Sequence, residues 1–216
     1  MKKLRTRLDV SPTPEQEQII FGSLLGDGFL HHPNRGGHNM SSALKMTHSG
    51  KQREYLEWKH SILSNFAYPI HSFSRKEKRG GSWAASNGSE VVYFNCASHP
   101  YFTDLWERWY INGHRIFSLD NVQNLNWLGL AVWYMDDGTY GFSKGSPYGF
   151  FCTEGFEADA QPVIKDFLLN KFGLPCSVVA TGHGKTKIRI LAAGIRILQE
   201  KIDQYVIPSL KYKLGY

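Results

Sequence analysis

An apolar nine-residue run ending in Asp-Gly occurs twice in the chain, as Ile20-Phe21-Gly22-Ser23-Leu24-Leu25-Gly26-Asp27-Gly28 and as Leu130-Ala131-Val132-Trp133-Tyr134-Met135-Asp136-Asp137-Gly138. A Thr-X-small triplet follows each, Thr47-His48-Ser49 and Thr153-Glu154-Gly155, and then a pair of helix ends, Asn65-Phe66-Ala67-Tyr68-Pro69 and Lys171-Phe172-Gly173-Leu174-Pro175. The two Asp-Gly steps lie 110 residues apart; the Thr, Phe and Pro positions lie 106 apart. Four matches in order at a nearly constant offset mark a duplicated unit. The small shift assigns a four-residue difference to the first hairpin loop. With 216 residues the chain accommodates two fused halves, divided as 1–118 and 119–216, each large enough to bury a core.

Each half reads as the same succession of elements. A helix apolar all round (about 15–27, and again 125–137) implies burial on several sides. A hairpin follows, turning at Asn34-Arg35-Gly36-Gly37 or at Ser143-Lys144-Gly145-Ser146-Pro147. The next helix is amphipathic, with Tyr55, Leu56, Ile62, Leu63 and Phe66 on one face in the first half, and Val163, Ile164, Phe167, Leu168 and Phe172 in the second. A second hairpin begins after Pro69 or Pro175, and a last helix lies near 99–110 or 194–205. The fold class is α+β: tandem αββαββα repeats related by a pseudo-two-fold. In each, a four-stranded antiparallel sheet packs one face on its two later helices and keeps the other free.

Composition narrows the partner. A net charge of +6 favours a polyanion, and 42% hydrophobic residues are ordinary for a globular chain. No apolar run approaches the roughly 20 residues needed to span a bilayer, so no membrane partner is expected. Cys96, Cys152 and Cys176 are odd in number and widely spaced, which favours a reducing, intracellular setting over a disulfide framework.

Residues 20–28 and 130–138 resemble the two signature motifs of the LAGLIDADG homing endonucleases in their single-chain, two-motif form. Trp133-Tyr134-Met135-Asp136-Asp137-Gly138 and the ending Ile207-Pro208-Ser209-Leu210-Lys211-Tyr212-Lys213-Leu214 are similar to the group I intron-encoded branch. The resemblance implies two antiparallel sheets forming a DNA-binding saddle, with the motif helices packed at the interface. It also implies a monomer that breaks both strands of a long asymmetric site with 3′ overhangs and so promotes intron homing. Lys213 matches the family's active-site lysine, against the alternative of a solvated C-terminal lysine; Arg115 is its candidate counterpart in the first half. His48 and Glu154 match a position lining the family's active site, while His48 also reads as an exposed strand histidine.

The motifs have their own physical logic. A dry helix running into Asp-Gly presents a carboxylate beside unpaired carbonyls, and glycine lets the chain turn into the next strand. Packing two such helices together is expected to bring Asp27 and Asp137 close, where like charges repel and both helix dipoles add negative potential. A hard divalent cation resolves the conflict: Mg²⁺, with Mn²⁺ as a substitute, held by Asp27 and Asp137 and by carbonyls at Gly26 and Asp136. Such an ion activates water for phosphodiester hydrolysis. The bland alternative makes each Asp-Gly a helix stop and turn. Gly22 and Gly26 permit close helix approach, whereas Val132 and Asp136 stand at the matching places, so the interface is asymmetric.

Candidate DNA contacts sit on strands and a hairpin tip. Lys185, Lys187 and Arg189 alternate with apolar residues and share one strand face. Tyr93 and Asn95 share the face opposite Val92, Phe94 and Cys96. Arg75, Lys76 and Lys78 belong to a charged tip that by itself reads as a solvated face. His31, His32 and His38 lack the spacing of a zinc site and read as loop residues near DNA. The expected partner is double-stranded DNA; the rival reading is an RNA maturase with intron RNA as partner. An intein is disfavoured, because the chain starts at Met1, lacks flanking splicing blocks and ends without a His-Asn pair. The expected setting is an organelle, mitochondrion or chloroplast, or a prokaryotic cytoplasm.

Overall fold

The computed structural model describes residues 10–32, 41–74, 88–182 and 184–216, which divide between two structural units. One comprises the described residues up to Gln16 together with those of Asp27–Trp106; the other comprises Glu17–Gly26 with Glu107–Tyr216. Most of the first motif helix therefore belongs to the second unit.

Helix α1 spans Pro14–Leu25 and leads into β1 (Phe29–His31) and β2 (Ala43–Ser49). Helix α2 (Arg53–Ile62), β3 (His71–Ser74), β4 (Glu90–Asn95) and α3 (Pro100–Trp109) complete the first set. The four strands form an antiparallel sheet in the order β1-β2-β4-β3. Leu44, Met46 and His48 alternate inward along β2, and Val92 and Phe94 inward along β4, as period-two patterning demands. They pack with Tyr55, Leu56, Leu63, Phe66, Phe102 and Leu105, all at most 1% exposed.

A short hairpin follows, β5 (Tyr110–Ile111) and β6 (His114–Arg115), turning through Asn112 and Gly113, both at positive φ. Asn-Gly is the residue pair that the favoured two-residue hairpin turn calls for. After α4 (Leu119–Val122), the second motif helix α5 runs Trp127–Asp137, its N-terminus capped by the Asn126 side chain, which accepts from the Leu128 and Gly129 amides. Then come β7 (Gly138–Ser143), β8 (Ser146–Phe151), α6 (Ala160–Phe172), β9 (Cys176–Gly182), β10 (Lys185–Ile190) and α7 (Ala192–Ile202). The second sheet repeats the order of the first, β7-β8-β10-β9. The chain ends in a 3₁₀ segment, Pro208–Leu214. Among the described residues no helix is long and apolar enough to cross a membrane.

One core position differs from the sequence expectation. Val163 is 39% exposed, and Gln161 takes the inward place on α6. Its side chain makes two hydrogen bonds with Thr153, accepting from the hydroxyl at 2.6 Å and donating to the carbonyl at 2.8 Å. A satisfied buried amide costs little, so it competes with an aliphatic residue for the site.

Candidate active site

Close packing of the two motif helices sets up the site. A Cβ added at Gly22 would lie 2.3 Å from the Gly129 carbonyl oxygen and 2.7 Å from Val132 Cβ. One added at Gly26 would lie 2.4 Å from Asp136 Cβ. The asymmetric seam expected from sequence is thus glycine on α1 against side chains on α5. Gly129 gives α5 a close approach of its own, since a Cβ there would meet Gln18 Oε1 at 2.7 Å. Gln18 fixes the register, donating to the Asn124 carbonyl and accepting from the Asn126 amide.

The C-terminal ends of both motif helices are bound by cations. The Arg115 guanidinium donates through Nη1 to the carbonyls of Leu24 and Gly26, each at 2.7 Å, and stacks 4.9 Å from the Phe156 ring centroid. The Lys213 ammonium donates to the carbonyls of Met135, at 2.5 Å, and Asp136, at 2.9 Å. Lys213 is only 9% exposed, which rules out a solvated tail lysine. Both cations satisfy carbonyls that a helix end leaves unpaired, and both offset its negative dipole. The Gly26 and Asp136 carbonyls considered as metal ligands each hold one of these cations, with a second lone pair remaining.

Tyr134 anchors the segment that carries Lys213: its hydroxyl lies 2.8 Å from the Lys213 carbonyl and 3.0 Å from that of Thr139. Burial pushes the Tyr134 phenol well above its ordinary pKa, so it stays protonated and keeps its donor. Asp137, half-buried at the end of α5, lines a cavity of about 300 Å³ with Asp136, Thr139, Tyr140, Cys152, Tyr212 and Lys213. Its carbonyl accepts from the Cys152 amide. Burial, with the Glu154 carboxylate second, raises the Cys152 thiol pKa and keeps it protonated in this acidic surrounding.

Asp27 lies just past α1 with its side chain 42% exposed, and its Oδ2 is 3.4 Å from His48 Nδ1. His48 is 3% exposed, so it is a buried strand residue and not a surface one. The ladders also revise its counterpart. Phe29 pairs with Lys45 and, 110 residues on, Thr139 pairs with Phe150. Strands β2 and β8 thus correspond at an offset of 105, which matches buried Leu44, Met46 and His48 with buried Gly149, Phe151 and Thr153. His48 corresponds to Thr153. Glu154 lies one residue out of that register, its carboxylate 3.8 Å from Lys187 Nζ and its carbonyl accepting from Lys185 Nζ.

The outward sheet faces carry the candidate DNA contacts. Tyr93 and Asn95 are half-exposed opposite buried Val92 and Phe94, and the ladders match them with Lys187 and Arg189. Each sheet also holds a cation–π pair across neighbouring strands: Lys45 lies 5.1 Å from the Tyr93 centroid, and Lys187 lies 4.2 Å from that of Phe150. Cation and ring have exchanged strands between the halves. A further pair, Arg189 on Tyr148, lies at 5.1 Å. Sequence reading missed Lys45, Tyr148 and Phe150, although Lys45 between inward Leu44 and Met46 signalled an outward cation. Arg75, Lys76, Lys78 and His38 lie outside the described residues. His32, just past β1, stacks on Trp106 at 4.1 Å and bonds Ser42 Oγ at 2.8 Å.

Comparison with known proteins places this geometry. The homing endonuclease I-WcaI, solved bound to its DNA recognition sequence, shares the fold with a TM-score of 0.84 at 23% identity, covering 97% of this chain and 91% of that one. A cytochrome b mRNA maturase bI2 of Debaryomyces hansenii is 28% identical over 204 residues, 93% of this chain and 74% of the maturase. A protein RecA of Mycobacterium shimoidei is 29% identical over 211 residues, and this chain spans about half (46%) of its length. Residues 17–199 match the model of the LAGLIDADG DNA endonuclease family, from the first motif helix through the last helix, and the chain belongs to that family.

Proposed function

We propose that this protein is a site-specific endonuclease that breaks both strands of a long, asymmetric double-stranded DNA site as a monomer, leaves 3′ overhangs and promotes homing of an intron. The observation that carries the reading is the paired construction of the motif-helix ends. Each ends next to an aspartate, Asp27 or Asp137, and each has its last carbonyls held by a cation, Arg115 or Lys213. An aspartate beside helix-end carbonyls that hold a cation suits a hard divalent ion on the carboxylate and an anionic phosphate next to it. Asp27 and Asp137 would hold Mg²⁺ or Mn²⁺, which supplies an activated water and stabilises the leaving oxygen. The chain's own cations, Lys213 and Arg115, fix the helix ends that carry those carboxylates and offset their charge. Lys187, Arg189, Tyr93 and Asn95 face outward on the sheets, where groove and phosphate contacts fit their chemistry.

The test is cleavage of an intronless candidate allele by the purified protein in Mg²⁺, with EDTA as control. Asp27→Asn and Asp137→Asn should each abolish cutting while target binding persists. A wild-type rate from either variant would refute its place at the reacting phosphate.

The maturase relative favours a second reading, assistance to splicing of an intron RNA through the same basic sheets. Acceleration of splicing in vitro that survives Asp137→Asn would support it alongside cleavage.

A further inference from the structure

On α2 the inward stripe Tyr55, Leu56, Leu63 is interrupted by Lys59, whose exposure is 0%. Fully buried lysines are rare unless engaged, because desolvating an ammonium is costly. Lys59 Nζ lies 3.4 Å from His48 Nε2 and 4.3 Å from the Tyr55 ring centroid, and the other ring nitrogen of His48 faces Asp27 Oδ2. The repeat supplies an internal control. Burial along the two second helices sets Leu56, Lys59 and Leu63 against buried Gln161, Ile164 and Leu168, an offset of 105 that the helix ends lengthen to 106. The same fold thus closes around an aliphatic side chain at this place, and packing alone does not call for a cation there.

We infer that Lys59 is a positioning residue for Asp27, acting through His48. This rests on the endonuclease reading for its consequence but not for its geometry. An ammonium has three donors and no acceptor, so the His48 nitrogen it meets must be the lone-pair nitrogen. Nε2 accepts, and Nδ1 carries the hydrogen toward the Asp27 carboxylate. His48 thereby presents that hydrogen to Asp27 Oδ2 across 3.4 Å. Tyr55 walls the pair, its ring 5.0 Å from the imidazole. At the matching positions of the second half Thr153 is committed to Gln161 and Ile164 offers no donor. The two strand-cutting centres therefore orient their aspartates by different means.

The experiment measures the His48 tautomer in the full-length, metal-free protein by long-range ¹H–¹⁵N correlation, assigned by its loss in His48→Gln. The Nδ1–H form is expected, and an Nε2–H form overturns the inference. Lys59→Met should fold, bind target DNA as the wild type does and cut one strand roughly 10–100-fold more slowly, the range for removing a group that orients a ligating side chain. In a His48→Ala background the same change should add nothing. Equal slowing of both strands, or further slowing without His48, makes Lys59 a structural residue. Should Lys59→Met fail to fold, the wild-type tautomer decides alone. A wild-type protein that cuts no DNA would refute the endonuclease reading and leave the tautomer result standing.

Discussion

Gly22→Ala tests the motif-helix seam with a single methyl group. Its Cβ would meet the Gly129 carbonyl oxygen at 2.3 Å and Val132 Cβ at 2.7 Å, both far inside contact distance. The first obstacle is backbone and the second a branched side chain fixed in the core, so neither yields without moving a helix. Overpacking of this kind costs about 1–3 kcal/mol and occasionally more, and the backbone clash places Gly22 at the upper end. Alanine returns about 1 kcal/mol of helix propensity, because Gly22 is interior to α1. The net loss is about 2 kcal/mol, which for a chain of this length lowers Tm by roughly 4–8 °C. Gly155→Ala is the control: its nearest neighbour, Arg115 Nη2, is 3.7 Å from the added atom. Thermal and urea unfolding of both variants measures the difference. If Gly22→Ala unfolds with Gly155→Ala, the helices are not in contact at this glycine and the close seam does not exist.

Two further predictions concern charge. Lys213→Met should slow cleavage of one strand more than the other, so that nicked plasmid accumulates. It should also cost roughly 1–3 kcal/mol of stability, because two helix-end carbonyls lose their donor; equal slowing of both strands would withdraw its active-site role. Lys187→Ala or Arg189→Ala should weaken target binding by roughly 1–3 kcal/mol with relaxed preference at one base pair, or reduce the salt slope uniformly if the contact is to phosphate. Unchanged binding in titrations across salt concentrations would remove that residue from the DNA face.

The repeat was legible because duplicated folding units keep their punctuation: both Asp-Gly steps and both prolines after the second helix survive in register. The seam glycines, the inward alternation of β4 and the outward cations of β10 followed from the same patterning. What sequence reading misplaced was the partner of His48. Aligning two Thr-X-small triplets set it against Glu154, whereas alternation along each strand sets it against Thr153, and burial follows alternation. Lys59 escaped notice because an apolar stripe is counted by its apolar members, and a lysine among them reads as a boundary of the face. Gln161 escaped for the same reason. Arg115 was hard to align because it sits on a hairpin with no counterpart in the repeat, although Asn112-Gly113 announces that hairpin in two residues.

The divergence of the two halves has a physical direction. Each motif-helix end concentrates negative potential: unpaired carbonyls, the dipole's terminus and at least one aspartate. A cation behind the carbonyls is worth about 0.3–1 kcal/mol at an exposed helix end and up to about 2 kcal/mol when partly buried. Both ends have one, which offsets that potential beside each aspartate. The identity of the cation follows from where it is mounted. Arg115 reaches from a hairpin strand and donates from Nη1 to both the Leu24 and Gly26 carbonyls, while Lys213 comes from a 3₁₀ turn pinned by Tyr134 and places its ammonium between the Met135 and Asp136 carbonyls. Beyond that shared requirement nothing obliges the halves to match: one orients its aspartate side with His48 and Lys59, the other fills the same positions with Thr153 and Ile164. Two halves within one chain have no symmetry to preserve, and each has settled into its own solution to the same electrostatic problem.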